Sequence, residues 1–292
     1  MMAMTPNLPP HASLADLQSL NSDSAYYSSA VSFKNIREQA IREAALTLGT
    51  QAGLAYESAQ IDQVLASKSA VLDHIFDFNQ VMYRDNVLPP VLNTATNLVN
   101  INPSGSIIRI AGVTYTILAP ARFVTSPPTW RDYLWLNYPQ PELPDKSLLP
   151  ENSAEQAIWK QNITIGWHQG ISQAVSIFGI NLSNLVQNFN GMILYKELLL
   201  KNMVSPYAVE RTEKGITGNG HHMVIDDQEI QLTTQPELLP NSSKLWQALP
   251  VGENTPKPES ATETNNNTSN LVNALEKAVE SNATSTSTTS HT

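Results

Sequence analysis

Trp167-His168-Gln169-Gly170-Ile171-Ser172-Gln173-Ala174-Val175-Ser176-Ile177-Phe178 decides the fold class. Trp167, Ile171, Ala174 and Phe178 step by threes and fours, the spacing that sets side chains on one face of an α-helix. Leu182, Leu185, Phe189 and Met192 carry the same face onward. Upstream, Ser153-Ala154-Glu155-Gln156 fits a capping box, and the period fades near Asn202, so helix is predicted across that whole span. Its length suits two helices, with Gly179 or Asn190-Gly191 as breaks. Gly166 and Gly170 form a small-x-x-x-small pair, which reads as close packing against another helix.

A second helical region runs from Phe33 to Met82. Ile36, Ala40, Ala44, Leu48, Ala52, Ala55 and Ala59 outline a narrow face, and Leu65, Leu72, Ile75, Phe76 and Asn79 extend it. Gly49, Gly53 and the 67–69 stretch are the expected bends. Between the helical regions, Val87-Leu88-Pro89-Pro90-Val91-Leu92 punctuates the chain. Asn93 to Leu98 reads as one or two helical turns. Two β-prone runs, 106–110 and 113–118, follow around Ala111-Gly112 as a hairpin signal. Residues 123–150 are dense in proline and aromatics, with a short helix starting at Pro127 or Pro128 and an extended strap after it. After Ser205-Pro206 the period shortens to that of strands at 209–211, 223–225 and 229–232, with Asp226-Asp227-Gln228 as a turn. The expected fold is α+β: a mainly helical body of long amphipathic helices packed against one small antiparallel sheet. Its parts are a flexible segment over 1–30, a single domain over 31–249 and a disordered low-complexity tail over 250–292. A short docking helix over Leu14, Leu17 and Leu20, and another over 271–279, are the exceptions weighed.

Composition narrows the function. The chain has 292 residues, with 17 Lys+Arg against 26 Asp+Glu for a net charge of −9, which disfavours nucleic acid as a partner. It contains no cysteine, which removes disulfides, thiolate catalysis and Cys-based zinc sites. No run reaches the roughly 20 apolar residues of a spanning helix, and no signal peptide is visible at Met1-Met2-Ala3-Met4.

Chemistry-bearing candidates are weak. His221-His222 lies near Asp226 and Asp227, but adjacent side chains on an extended segment point apart and would not share a metal. Gly215-Ile216-Thr217-Gly218-Asn219-Gly220 lacks the Gly-Lys-Ser/Thr of a phosphate loop and reads as backbone of unusual angles. The Asp pair lacks a calcium loop and reads as a turn cap. His168 stands beside Trp167 with no nucleophile motif. No cofactor and no metal are expected, and the chain is expected not to be an enzyme. Trp130, Arg131, Tyr133 and Trp135 are the candidate partner-contact residues, because interface centres favour these residue types. The plainer alternative is that their rings hold the fold.

Several segments together carry a resemblance. These are Asp77-Phe78-Asn79, Val87-Leu88-Pro89-Pro90-Val91-Leu92 and Ala121-Arg122-Phe123-Val124-Thr125-Ser126-Pro127-Pro128-Thr129-Trp130-Arg131-Asp132-Tyr133-Leu134-Trp135. Pro141-Glu142-Leu143-Pro144, Leu148-Leu149-Pro150, Phe189-Asn190-Gly191-Met192-Ile193-Leu194-Tyr195, Asn202-Met203-Val204-Ser205-Pro206 and the 215–220 glycine run complete the set. Over residues 36–246 the chain resembles the DotC family of type IVB (Dot/Icm-type) secretion systems. The resemblance implies a non-catalytic structural subunit of an outer-membrane core complex, periplasmic and outer-membrane associated, with DotD- and DotH-like proteins as partners. Family members usually carry a lipid-bearing cysteine before the mature domain. This sequence has none, so the resemblance implies membrane association through partners or through an anchor that this chain lacks. The alternatives from other classes are a periplasmic enzyme acting on cell-wall polymer and a stand-alone protein-binding module.

Overall fold

The computed structural model describes residues 31–246 other than 102, 105 and 107, together with Leu14, Gln18, Asn270, 272–277 and Val279. The remainder of the expected lead-in and tail lies outside the described residues. The elements are α1 (Val31–Ser67), α2 (Ser69–Ile75), β1 (Val87–Leu88), β2 (Val91–Ile101), β3 (Ile108–Ala119), β4 (Arg122–Phe123), α3 (Trp130–Leu134), α4 (Ser153–Leu200), β5 (Ala208–Asn219) and β6 (His222–Thr234). The fold is α+β, with long helices and small antiparallel sheets. The chain divides into two compact units. Among the described residues, the first takes in those up to Leu72, Tyr133–Ser183 and those from Asn270 on, and the second takes in Asp73–Asp132 and those from Asn184 to Trp246.

The first unit is organised by α1 and the first part of α4. Both helices run through their glycines without a break, contrary to the expected bends at Gly49, Gly53 and Gly179, because the glycines face a neighbouring backbone or open space. A Cβ on Gly49 would lie 2.5 Å from the Ile163 carbonyl oxygen. On Gly53 it would strike the Trp167 carbonyl, on Gly166 that of Leu46, and on Gly170 that of Thr50. Residue numbers rise together on both sides of this seam, so the helices run in the same direction. Glycine lets the two backbones touch, as the Gly166/Gly170 spacing suggested. Ile41, Ala45, Leu48, Ala52, Trp159, Ile163, Trp167 and Ile171 fill the core beside the seam, and Leu14 packs against it. On α1, Leu48, Ala52 and Ala55 are buried as expected, but the face begins with Ile41 and Ala45, while Ile36 is 64% exposed and Ala40 and Ala44 are half-buried.

Asn152, not Ser153, caps α4: its Oδ1 accepts from the Glu155 backbone N–H at 2.9 Å, and Glu155 Oε2 accepts from the Glu151 N–H. The capping box therefore begins one residue earlier than read from the sequence. Arg37 ties this end to α1 by donating to both Glu155 oxygens at 3.0 and 3.2 Å and to the Ser147 and Leu149 carbonyls, with Glu151 at 2.9 Å. Burial alone would raise the Glu155 carboxyl, but the guanidinium and the Glu151 N–H hold it below the usual range. Within the tail, 272–277 are helical and Leu275 and Val279 are buried. The i,i+4 apolar pair gives even this polar stretch one face to bury.

The second unit holds three two-stranded sheets: β1 with β4, β2 with β3, and β5 with β6. The single sheet expected from the sequence is thus separate ribbons. Asn93 to Leu98, expected as helical turns, is strand, and it pairs with an uninterrupted β3 in which Ala111-Gly112 is not a turn. Asp226-Asp227 likewise lies inside β6, where Asp226 takes a left-handed φ of 58° at an irregularity opposite Gly215, φ 73°. Bulges bend long strands without ending them, which a local turn signal does not distinguish. The roots of β2 and β3 are anchored: Leu92 is buried with Tyr195, Leu198 and Val204, and Tyr115 and Ile117 pack on that cluster. Gly191 lets α4 approach the β2 backbone, since a Cβ there would lie 2.5 Å from the Leu92 oxygen. Phe76 and Phe78 meet Phe189 edge-on at 5.4 and 5.2 Å. The helix stops at Asn202, φ 56°, with Met203 N–H bonded to Leu198 O and Asn202 N–H to Leu199 O, a Schellman stop.

Candidate contact site

The four sequence-nominated residues straddle the unit boundary, which falls between Asp132 and Tyr133, so each is described within its own unit. In the second unit, Thr129 and Asp132 fix the start of α3: Asp132 Oδ2 accepts from the Thr129 N–H at 2.7 Å and from its hydroxyl at 3.0 Å. This sets Trp130 inward, 1% exposed, with its indole N–H donating to Asp73 Oδ1 at 2.7 Å. Arg131 lies over the Trp130 ring at 4.3 Å and grips Asp73 with two bonds of 2.7 and 3.2 Å. The Arg131 guanidinium, then the Trp130 indole, hold the Asp73 carboxyl below its ordinary value. Trp130 is thus a packing residue, with Arg131 clamped above it at the surface.

In the first unit, Tyr133 is half-buried and Trp135 is 45% exposed. Asp62 of α1 accepts from the Leu136 and Asn137 backbone N–H groups at 3.3 and 3.4 Å and so pins the start of the proline-rich strap. Burial raises the Asp62 carboxyl and these two N–H groups oppose it. Of the four candidates, Trp135 offers the largest exposed apolar ring. Asp73 and Asp62, which position this segment, were not legible as partners because 57 or more residues separate them from it. The one available signal was that an inward Trp beside an Arg needs a carboxylate.

The other sequence candidates occupy structural positions. His221 and His222 stand at the β5–β6 turn, where Asn219 Oδ1 accepts from both backbone N–H groups at 3.0 and 3.1 Å. Asp227 accepts from the Thr217 hydroxyl at 2.6 Å, across the ribbon. His168 is half-buried on α4 beside the seam. Among the described residues, no group of three His, Asp or Glu side chains is placed to hold a metal ion. Carboxylates that do meet, Glu151 and Glu155, meet on Arg37.

Two features escaped sequence reading. Glu57, in α1, is fully buried, and neither carboxylate oxygen meets a hydrogen-bond partner among the described residues. Burial pushes its carboxyl up to about 7. The other is the outer part of the β2–β3 ribbon, where Leu98, Val99, Ile101, Ile108, Ile110 and Val113 are 45 to 75% exposed. Arg211, by contrast, bonds Asp85 at 2.6 Å, and Lys214 pairs with Glu229, so the second ribbon carries charge along its length.

Two long helices meet backbone to backbone in the first unit, and two long antiparallel ribbons lie in the second. A family model described as "Type IV secretory system, conjugal DNA-protein transfer" matches residues 35–248. The chain belongs to this family and is a type IV secretion protein. No curated protein matches it.

Proposed function

We propose that this chain is a non-catalytic structural subunit of the outer-membrane core of a type IVB system, a DotC-like protein working with DotD- and DotH-like partners in the periplasm. The family match across 35–248 supports the type IV secretion part of this reading, and the resemblance over 36–246 supports the DotC-like part. The chemistry of the charged groups supports it. Asp73, Glu155 and Asp62 each accept bonds that position backbone or a neighbouring ring, an arrangement that builds shape. Trp135, exposed beside a strap pinned by Asp62, is the side chain best set to meet a partner. No helix among the described residues is long and apolar enough to cross a membrane, so attachment falls to partners or to an anchor outside these residues.

The test is a chromosomal deletion in the native bacterium. The DotH-like protein is expected to leave the outer-membrane fraction and transfer to stop, with both restored by the full chain. Normal DotH-like placement together with normal transfer in the deletion strain would overturn the reading.

A further inference from the structure

We infer that Asn219-Gly220, at the tip of the β5–β6 ribbon, is a self-modifying site at which the folded chain converts its own asparagine to aspartyl and isoaspartyl residues. The inference needs no partner and is independent of the secretion role proposed above.

The register pairs Asn219 with His222, so Gly220 and His221 form a two-residue loop, and all four residues are exposed. Asn219 Oδ1 accepts from the His221 and His222 backbone N–H groups at 3.0 and 3.1 Å. A side-chain oxygen bonded to the N–H groups two and three positions on folds its side chain forward over the next peptide unit. That unit carries the Gly220 nitrogen, the atom that closes a five-membered ring on Asn219 Cγ. The two donors also lie where negative charge develops on Oδ1 as Cγ becomes tetrahedral, so they stabilise the intermediate. Glycine leaves the attacking nitrogen unshielded, and the Gly220 N–H makes no backbone hydrogen bond among the described residues.

Attack joins the Gly220 nitrogen to Cγ and expels Nδ2 as ammonia, which takes up the proton that the nitrogen loses; the product is a cyclic imide. Water then opens the ring. Cleavage of the Cγ–N bond leaves aspartate at 219, and cleavage at the main-chain carbonyl carbon of 219 leaves an isoaspartyl link whose main chain runs through Cβ and Cγ. In sum one water is consumed and one ammonia released, with no oxidant or reductant. Either product adds a negative charge to the tip, and the isoaspartyl link lengthens the loop backbone by one methylene.

The chain holds the same dipeptide once more, and there the fold protects it. Asn190-Gly191 lies inside α4, where helical bonding engages the Gly191 N–H and Gly191 packs against the Leu92 backbone. Asn190 Oδ1 is buried with no hydrogen-bond partner among the described residues, so no donor supports charge on it. Two sites of identical chemistry are thus separated by geometry alone.

The test is peptide mapping by mass spectrometry of the purified full chain, sampled during storage in mildly alkaline solution, with isoaspartyl groups counted by enzymatic methylation. In the folded chain Asn219 is expected to convert at least ~10-fold faster than Asn190, and in urea the two rates are expected to converge. Gly220→Ala is expected to slow conversion of Asn219 at least ~10-fold, because the new methyl group hinders the attacking nitrogen. That Cβ meets nothing within 4 Å and Gly220 takes no left-handed φ, so the hairpin is kept. Equal rates at the two sites in the folded chain would overturn the inference. So would an Asn219 left intact over a period in which the urea-unfolded chain converts, or a Gly220→Ala variant that converts as fast as the wild type.

Discussion

Replacing Glu57 by Gln removes a carboxyl that is sealed in α1 with neither oxygen bonded among the described residues. Burial moves its titration from 4.5 to about 7, so the folded protein keeps a proton that the unfolded chain releases. The folded state binds the extra proton between those two values, hence this group lowers stability as pH rises through the window. A shift of this size corresponds to about 3 kcal/mol once both states are ionised, at about 1.4 kcal/mol per unit. About 2.5 kcal/mol of it falls between pH 5 and pH 8. Urea unfolding of both proteins at these two pH values measures it. Subtraction at each pH cancels Asp62, which burial also raises, and the carboxylates of Glu155 and Asp73, which are held low and titrate below this window. Glu57→Gln is expected to gain on the wild type by about 2.5 kcal/mol on going from pH 5 to pH 8. A difference between the two proteins that does not change with pH would refute the reasoning.

Gly170→Ala adds a Cβ against the Thr50 carbonyl, where backbone must move. The gain in helix propensity of about 1 kcal/mol is overridden, and chemical denaturation is expected to show a net loss of about 1–3 kcal/mol. Trp130→Ala empties a buried site and is expected to cost about 3–5 kcal/mol. Trp135→Ala, at a ring 45% exposed, is expected to leave the unfolding midpoint nearly unchanged while weakening recovery of partners; a strongly destabilised variant would count against a contact role. Asn152→Ala removes the α4 cap and is expected to cost about 1 kcal/mol in thermal unfolding.

The helices were legible because their signal is local and repeated. Trp167, Ile171, Ala174, Phe178, Leu182, Leu185, Phe189 and Met192 are all buried, as their spacing requires. Gly166 and Gly170 also announced the seam, though not its partner glycines Gly49 and Gly53, which read equally well as breaks. Strand pairing was less legible. Asn97, Asp226 and Gly215 take left-handed angles inside strands, so residues that usually end a strand only bend it here. Threonine and asparagine in 93–98 suit several conformations, and the β3 partner that decides among them lies beyond a local window. At the nominated site, sequence grouped Trp130 with Trp135 by residue type. Burial separates them, at 1% against 45%, through the distant acceptor Asp73.

Isolation of the tagged full-length protein from gently solubilised envelopes of its native bacterium, with identification of its stable companions, tests the account most directly. The account predicts recovery in a large particle with DotD- and DotH-like proteins. Recovery as a lone soluble monomer, while those proteins are present and assembled in the same extract, would contradict it.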